Sequence, residues 1–373
     1  NDFSLQVATA NGSGSQTANN VLLRAIFRMG VPVSGKNLFP SNIQGLPTWF
    51  TIRASRHGYI GRKREIDVLV LMNPETAAED ALAAAPGTSV VYERKLAVEN
   101  LRDDLRLYAV PFGELAQKLP LPPEQAKLRR LLVNMVYVGV LADLMGIDVA
   151  EIEAALRKQL GGKAKAIELN LAALRAGLDY SAATFPEKLP HRVERMDATA
   201  GKIIIDGNAA SALGCLFGGA TVCTWYPITP SSSLCEAFID LCGEHRVDAA
   251  TGKGAAAIVQ AEDEIASIGM VLGASWAGAR AFTATSGPGI SLMSEFIGLG
   301  YYAEVPAVVF DVQRVGPSTG LPTRTMQGDV LLCRTNSHGD GRHPVLFPSS
   351  PEECFSMAQE AFDLAERLQT PVF

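Results

Sequence analysis

Three acidic residues in a row, Glu262, Asp263 and Glu264, stand in "IVQAEDEIASIGM" between an apolar run and a helix-like run of small and apolar residues. Carboxylates at a helix start often serve only as caps and dipole partners. The helix that follows (Ile265, Ile268, Met270, Val271, Leu272) reads as deeply buried, however. A carboxylate at its mouth would lie in a low-dielectric cleft, where its pKa rises and general acid–base chemistry opens. In "TWYPITPSSS", Pro227 and Pro230 flank Ile228 and Thr229. Proline fixes its own φ and holds the preceding residue extended, so these residues form either a rigid connection or a mount that aims the Thr229 hydroxyl at a ligand.

Two further stretches belong with these. "DVQRVGPSTGLPTRTMQGD" carries Arg314 and Arg324 with Ser318, Thr319 and Thr323 in one Gly/Pro loop. One arginine usually ends in a surface salt bridge; two beside several hydroxyls suit an anionic ligand gripped by planar, bidentate contacts. "TATSGPGISLM" places Ser286, Gly287, Pro288 and Gly289 after a strand, in a loop where backbone approaches something closely. The context is not GxSxG and no histidine is adjacent, which argues against a nucleophilic serine. Near the N-terminus, "NGSGSQTAN" sets Gly12, Ser13, Gly14, Ser15 and Gln16 before a helix. Such a helix start suits a phosphate, and it serves equally as a plain strand-to-helix turn, because GxGxxG is only partly matched.

Strand-end loops need a sheet to carry them. Apolar runs at 3–8, 66–72, 89–94 and 107–112 read as strands. Helical patterns follow at 21–29, after Met72, and near 123–145, 149–160 and 167–178. The stretch 180–201 has two prolines, many charges and no sustained period. The theme then repeats, with strands ending near Tyr226 and Glu262, at 279–285 and at 306–312, a last one in "HPVLFPSS", and helices between them. Alternating strands and helices imply parallel sheets covered by helices. The expected fold class is α/β: a Rossmann-like domain at 1–185, a linker at 186–200, and a doubly wound parallel-sheet domain at 201–373. "LQTPVF" reads as the opening of a further strand, so the second domain is expected to continue past Phe373. In open sheets of this kind ligands sit at the carboxyl ends of strands, where Thr229, Glu262 to Glu264, Ser286 to Gly289 and Arg314 fall.

Composition limits the function classes. A net charge of −6 over 373 residues does not favour nucleic acid or an anionic membrane surface. The most apolar run, 131–145, contains Asn134 and Asp143 and is too short to span a bilayer; no signal peptide is visible. The six cysteines include no CxxC pair, which points away from a zinc or iron–sulfur site on this chain and toward reduced, buried thiols in the cytoplasm.

Together "YPITPSS", "QAEDEIASIGMVLGASWAGARAFTATSGPG" and "VQRVGPSTGLPTR" resemble the alpha subunit of 2-oxoacid:ferredoxin oxidoreductases. The resemblance is to the 2-oxoglutarate type, with a gamma-like domain fused at the N-terminus, and "ANGSGSQTANNVLLRAI" matches that domain more loosely. The family implies thiamine diphosphate with Mg, CoA as co-substrate, and an iron–sulfur cluster in a partner beta subunit that also holds the diphosphate. It implies oxidative decarboxylation of 2-oxoglutarate to succinyl-CoA, with electrons passed to ferredoxin, and a dimer of alpha–beta heterodimers. The 201–373 domain would be the aminopyrimidine-binding half of the site, since no GDG…N pattern for a metal-bound diphosphate occurs here.

On that resemblance Glu264, with Glu262 as fallback, would hydrogen-bond the aminopyrimidine nitrogen N1′. Gly287, Pro288 and Gly289 would approach the cofactor. Thr229, Arg314, Ser318 and Arg324 would bind substrate. Arg324, His338 and Arg342 are candidates for the second carboxylate of a dicarboxylic substrate. Gly12 to Gln16, or the basic run Arg62, Lys63 and Arg64, would hold CoA phosphate. Pyruvate or a branched-chain 2-oxoacid is the alternative substrate. A non-catalytic nucleotide-binding regulatory protein is the alternative from another class, and it needs none of the three ordered motifs.

Overall fold

The computed structural model describes residues 1–39, 45–121 and 125–373. The chain divides into two compact units, Asn1–Ile204 and Ile205–Phe373.

Among its described residues the first unit holds the strands β1 (Asp2–Ala10), β2 (Val33–Leu38), β3 (Pro47–Ser55), β4 (Val68–Leu71), β5 (Ser89–Glu93) and β6 (Arg106–Val110). Their order is β2-β3-β1-β4-β5-β6. The run from β1 through β4 and β5 to β6 is parallel, as expected. β2 and β3 extend the sheet antiparallel, an edge that the sequence pattern did not announce. "VSGKNL" looks like a loop: glycine and lysine interrupt its alternation, and only its pairing with β3 makes it a strand.

Among the described residues this sheet is accompanied by the α-helices α1 (Ser15–Arg28), α2 (Ala77–Ala83), α3 (Phe112–Gln117), α4 (Ala126–Met145), α5 (Val149–Leu160) and α6 (Ala164–Thr184). Pro123, where a helix was expected to start, lies outside the described residues. α4 and α6 cross at two glycines. A Cβ on Gly139 would lie 2.0 Å from the Leu174 carbonyl oxygen, and one on Gly177 would lie 2.0 Å from that of Val136. Only missing side chains let the two backbones approach so closely. The stretch 186–200, expected as a linker, packs onto this unit. Leu189 and Val193 are buried, and the amides of Leu189, Val193 and Met196 donate to the carbonyls of Leu144, Met145 and Met29.

The second unit runs α7 (Gly207–Phe217), β7 (Val222–Trp225), α8 (Ser232–His245), β8 (Ala257–Gln260), α9 (Glu264–Trp276), β9 (Ala281–Thr285), α10 (Gly287–Leu292), α11 (Ser294–Tyr302), β10 (Ala307–Asp311), α12 (Val330–Thr335), α13 (Pro351–Leu368) and β11 (Pro371–Val372). The strand order is β11-β10-β9-β7-β8, with every pairing parallel. The stretch "HPVLF" forms no strand; it flanks β11 through Leu346 N–H to Phe373 O at 2.8 Å and Phe373 N–H to Pro344 O at 3.0 Å.

Alternation along the strands feeds two cores. Phe282 and Ala284 of β9 and Val308 of β10 pack with α7, α8 and α13. Ala281 of β9 and Val309 of β10 pack with residues of α9, α11 and α12. The chain leaves β7 for β8 at one edge and returns to β9 on β7's other side. That reversal is a topological switch point, the place outside whose strand ends ligands bind in open α/β sheets. Among the described residues no helix is long and apolar enough to cross a membrane.

Candidate active site at the strand ends

Each chemically suggestive residue of the second unit follows a strand. The loop after β7 bears Thr229, and its own serines hold it in place. Ser231 Oγ donates to Ile228 O at 3.0 Å, and Ser232 Oγ accepts from Ile228 N–H at 3.0 Å. Asn208 Nδ2 donates to Pro230 O at 2.9 Å. Most of the hydroxyls after Pro230 therefore fix the loop, while the half-buried Thr229 side chain makes no hydrogen bond among the described residues.

The acidic triplet after β8 resolves into three roles. Glu262 is exposed. Asp263 is the extended N-cap of α9, its Oδ1 accepting from Ala266 N–H at 2.6 Å. Glu264 opens the helix and is 7% exposed. The fallback Glu262 is thus on the surface, and Glu264 is the buried carboxylate. The Ser-Gly-Pro-Gly stretch, expected as a loop, is the N-cap and first turn of α10, and the Glu264 stem lies under it. A Cβ on Gly289 would sit 2.9 Å from Glu264 Cγ and 1.9 Å from Thr285 Oγ1. Gly287 meets the Asp329 carboxylate as closely, with its missing Cβ 2.3 Å from Oδ2. The two glycines of Ser-Gly-Pro-Gly therefore exist because side chains press on them, with Pro288 half-buried between.

Arg314, after β10, is 6% exposed, and its Nη1 donates to the Thr229 carbonyl at 2.8 Å. Burial pulls its proton affinity down, and the charge of Glu264 pushes it partly back up, so guanidinium and carboxylate lie within electrostatic reach. Beyond Arg314 the loop doubles back, with Val315 N–H on Arg324 O at 2.9 Å. Arg324 is half-buried and reaches Thr323 Oγ1 at 3.2 Å. Ser318 is exposed at the turn, with φ 55°. His338 faces Glu295 at 3.3 Å, and Arg342 folds onto Gly341 O at 2.9 Å. The structure thus joins Thr229, Glu264, Gly289 and Arg314, and directs His338 and Arg342 to other partners.

Sequence reasoning missed the polar interior behind these residues. Thr285 Oγ1, Ser286 Oγ, Asp311 Oδ1, Gln313 Oε1, Arg314 Nε and Asp329 Oδ2 are all buried without a hydrogen-bond partner among the described residues. Nearly all such atoms in folded proteins are paired, so these groups are available to a polar guest. Burial, then the charge of Asp329, pushes the Asp311 carboxyl up to about 7, offset in part by the Cys333 thiol that donates to it at 3.7 Å. Burial raises Asp329 as well. The signal available was the threonine alternation in "AFTAT", polar residues at every second position of a buried strand.

In the first unit, Gly14 caps α1 at φ 81°, and its missing Cβ would lie 2.7 Å from Leu131 Cδ2. Asn134 Nδ2 donates to Ser13 O at 2.7 Å, and the Ser15 hydroxyl pairs with that of Thr9 at 2.8 Å. α4 thus braces the turn from one side, and Gly12, Gly14 and Gln16 remain exposed on it. Arg62, Lys63 and Arg64 are exposed, with Lys63 3.7 Å from Asp2.

Comparison with known proteins gives this arrangement its context. Residues 4–180 match the family described as pyruvate ferredoxin/flavodoxin oxidoreductase, and residues 213–373 match its thiamine-diphosphate-binding domain. The chain is 34% identical, over its whole length and 64% of the relative's, to 2-oxoacid:ferredoxin oxidoreductase 2, subunit alpha, of Aeropyrum pernix. Over 45% of its length it is 46% identical to 2-oxoglutarate synthase subunit KorA of Methanocaldococcus jannaschii, covering 44% of that chain. Among solved structures, the 2-oxoglutarate:ferredoxin oxidoreductase from Magnetococcus marinus, with 2-oxoglutarate, coenzyme A and succinyl-CoA bound, superposes with a TM-score of 0.89. It is 32% identical, over all of this chain and 62% of that one. The chain thus spans less than two thirds of the full-length relatives it matches from end to end. It carries a pyruvate ferredoxin/flavodoxin oxidoreductase domain followed by the thiamine-diphosphate-binding domain found in the same enzymes.

Proposed function

We propose that this chain is the alpha subunit of a 2-oxoacid:ferredoxin oxidoreductase that converts 2-oxoglutarate to succinyl-CoA and passes electrons to ferredoxin. The observation that carries the reading is the convergence of a buried carboxylate, Glu264, with the tied pair Thr229 and Arg314 at the strand ends. The 2-oxoglutarate assignment follows the names of the Methanocaldococcus jannaschii and Magnetococcus marinus proteins.

The residues present fit thiamine diphosphate. A carboxylate at the mouth of α9 and a wall of unpaired buried polar atoms suit the polar aminopyrimidine ring. When bound, thiamine diphosphate supplies the nucleophilic carbon and takes up the electron pair that decarboxylation releases. Glu264 holds a proton at ring nitrogen N1′, in a site dry enough for that proton to move. Gly287, Pro288 and Gly289 bring backbone close to the ring. Arg314 takes the substrate carboxylate with the guanidinium nitrogens that Thr229 O leaves over, and the Thr229 hydroxyl takes the 2-oxo oxygen. Preorganisation of this corner lowers the orientational part of the barrier. Arg324 and Ser318, on the loop after Arg314, reach for the distal carboxylate that distinguishes 2-oxoglutarate from pyruvate.

The remaining parts come from partners. A beta subunit holds the diphosphate, its Mg and an iron–sulfur cluster, and ferredoxin docks there. Two alpha–beta pairs form the cytoplasmic assembly. The first unit is the gamma-like domain, and its turn from Gly12 to Gln16 holds a CoA phosphate. The test is reduction of a low-potential acceptor by the co-purified complex with CoA. Faster reduction with 2-oxoglutarate than with pyruvate supports the substrate assignment. The reverse order moves it to pyruvate, and no reduction with any 2-oxoacid overturns the reading.

A further inference from the structure

Thr285 closes β9, one position before the Ser-Gly-Pro-Gly stretch. It is 1% exposed, and its hydroxyl has no hydrogen-bond partner among the described residues. Valine would fill the same space with no polar atom to satisfy, so packing alone does not account for a threonine here. The hydroxyl and the Glu264 stem meet at one point: the empty Cβ position of Gly289 is 1.9 Å from Thr285 Oγ1 and 2.9 Å from Glu264 Cγ. Both groups therefore crowd the same face of Gly289, and any side chain there would collide with both. Behind Thr285, Asp311 is its register partner on parallel β10, so both side chains project from the same face of the sheet. Asp311 Oδ2 accepts from Cys333, and its Oδ1 is buried and unpaired.

The geometry points to Thr285 as a positioning residue for Glu264: its hydroxyl, unpaired here, would donate to the carboxylate when that group turns toward a bound aminopyrimidine ring, and would hold it there. The inference rests on the proposed role of Glu264. A hydroxyl that donates to a carboxylate favours its ionised form, so removing it moves the pH dependence of cofactor binding.

The experiment compares Thr285→Val with Thr285→Ser in the co-purified complex, reading thiamine diphosphate affinity across pH by calorimetry together with thermal melting. Thr285→Val is expected to bind thiamine diphosphate about tenfold more weakly, with the pH midpoint of binding moved upward, and to melt like wild type; Thr285→Ser restores both binding readouts. Wild-type affinity and an unmoved midpoint in Thr285→Val overturn the inference and leave Glu264 untouched. Failure of the wild-type complex to bind thiamine diphosphate removes the functional reading, and this inference with it. Should Thr285→Val fail to fold, Thr285→Ala replaces it: affinity kept by serine and lost by alanine supports the hydroxyl, and equal loss in both overturns it.

Discussion

Arg314 donates to the main-chain carbonyl of Thr229 at 2.8 Å, tying the loop after β10 to the loop after β7 across 85 residues of sequence. One guanidinium nitrogen is spent on scaffold, which fixes the plane of the group, and Nε has no partner among the described residues. Lysine offers a point charge without the fork. Arg314→Lys is therefore expected to raise KM for the 2-oxoacid at least about tenfold, with a smaller effect on kcat, in steady-state acceptor reduction. An unchanged KM would separate Arg314 from the substrate carboxylate.

Gly289→Ala puts a methyl group on both Thr285 Oγ1 and Glu264 Cγ. Overpacking of this kind costs about 1–3 kcal/mol, and here it also turns the carboxylate away. Acceptor reduction is expected to fall at least about 100-fold while the thermal midpoint drops by several degrees. Gly273, on the same helix as Glu264, has open space at its Cβ position, so Gly273→Ala is expected to be neutral or to stabilise by about 0.5–1 kcal/mol.

The first unit makes its own prediction at the α4–α6 crossing. Gly139→Ala and Gly177→Ala each place a Cβ 2.0 Å from a backbone oxygen that cannot swing aside. Each is expected to destabilise that unit by about 3 kcal/mol, read from chemical denaturation. A change below about 0.5 kcal/mol in either would contradict the close crossing.

Asp311 and His343 give stability opposite pH dependences. The raised Asp311 carboxyl contributes stability that is complete below its ordinary value of 3.8 and is lost as pH rises through about 7. Burial lowers His343, which sits 0% exposed with Nε2 2.7 Å from Asn336 O. Its contribution is complete above the ordinary 6.5 and is lost as pH falls. Asp311→Asn should flatten the decline in thermal midpoint between about pH 4 and pH 7 and leave the acid-side loss from His343 in place. A profile in Asp311→Asn that matches wild type would show that Asp311 ionises freely.

The parallel strands were legible because buried strands such as "VLVL" and "AVVFD" are apolar runs bounded by turn residues. The Thr229 and Arg314 loops were legible because proline, glycine and hydroxyl residues cluster where no regular element can continue. Two things were not. The β2–β3 edge depends on pairing between segments whose own alternation is weak, so no local pattern announces it. The polar row of Thr285, Asp311 and Asp329 comes from a sheet register and a helix end distant in sequence, and only the packed structure shows that Asp329 presses on Gly287. Within "EDE" the choice of Glu264 turned on helix phase: Asp263 takes the cap, which places Glu264 inside and Glu262 out.

The most direct measurement is 2-oxoglutarate-dependent acceptor reduction by the co-purified complex, comparing wild type with Glu264→Ala at matched thiamine diphosphate saturation. The proposed acid–base role of Glu264 predicts a fall in kcat of about 10²- to 10⁴-fold in a variant that still folds and binds its partner subunit. A Glu264→Ala enzyme that keeps kcat within about twofold of wild type would contradict the account.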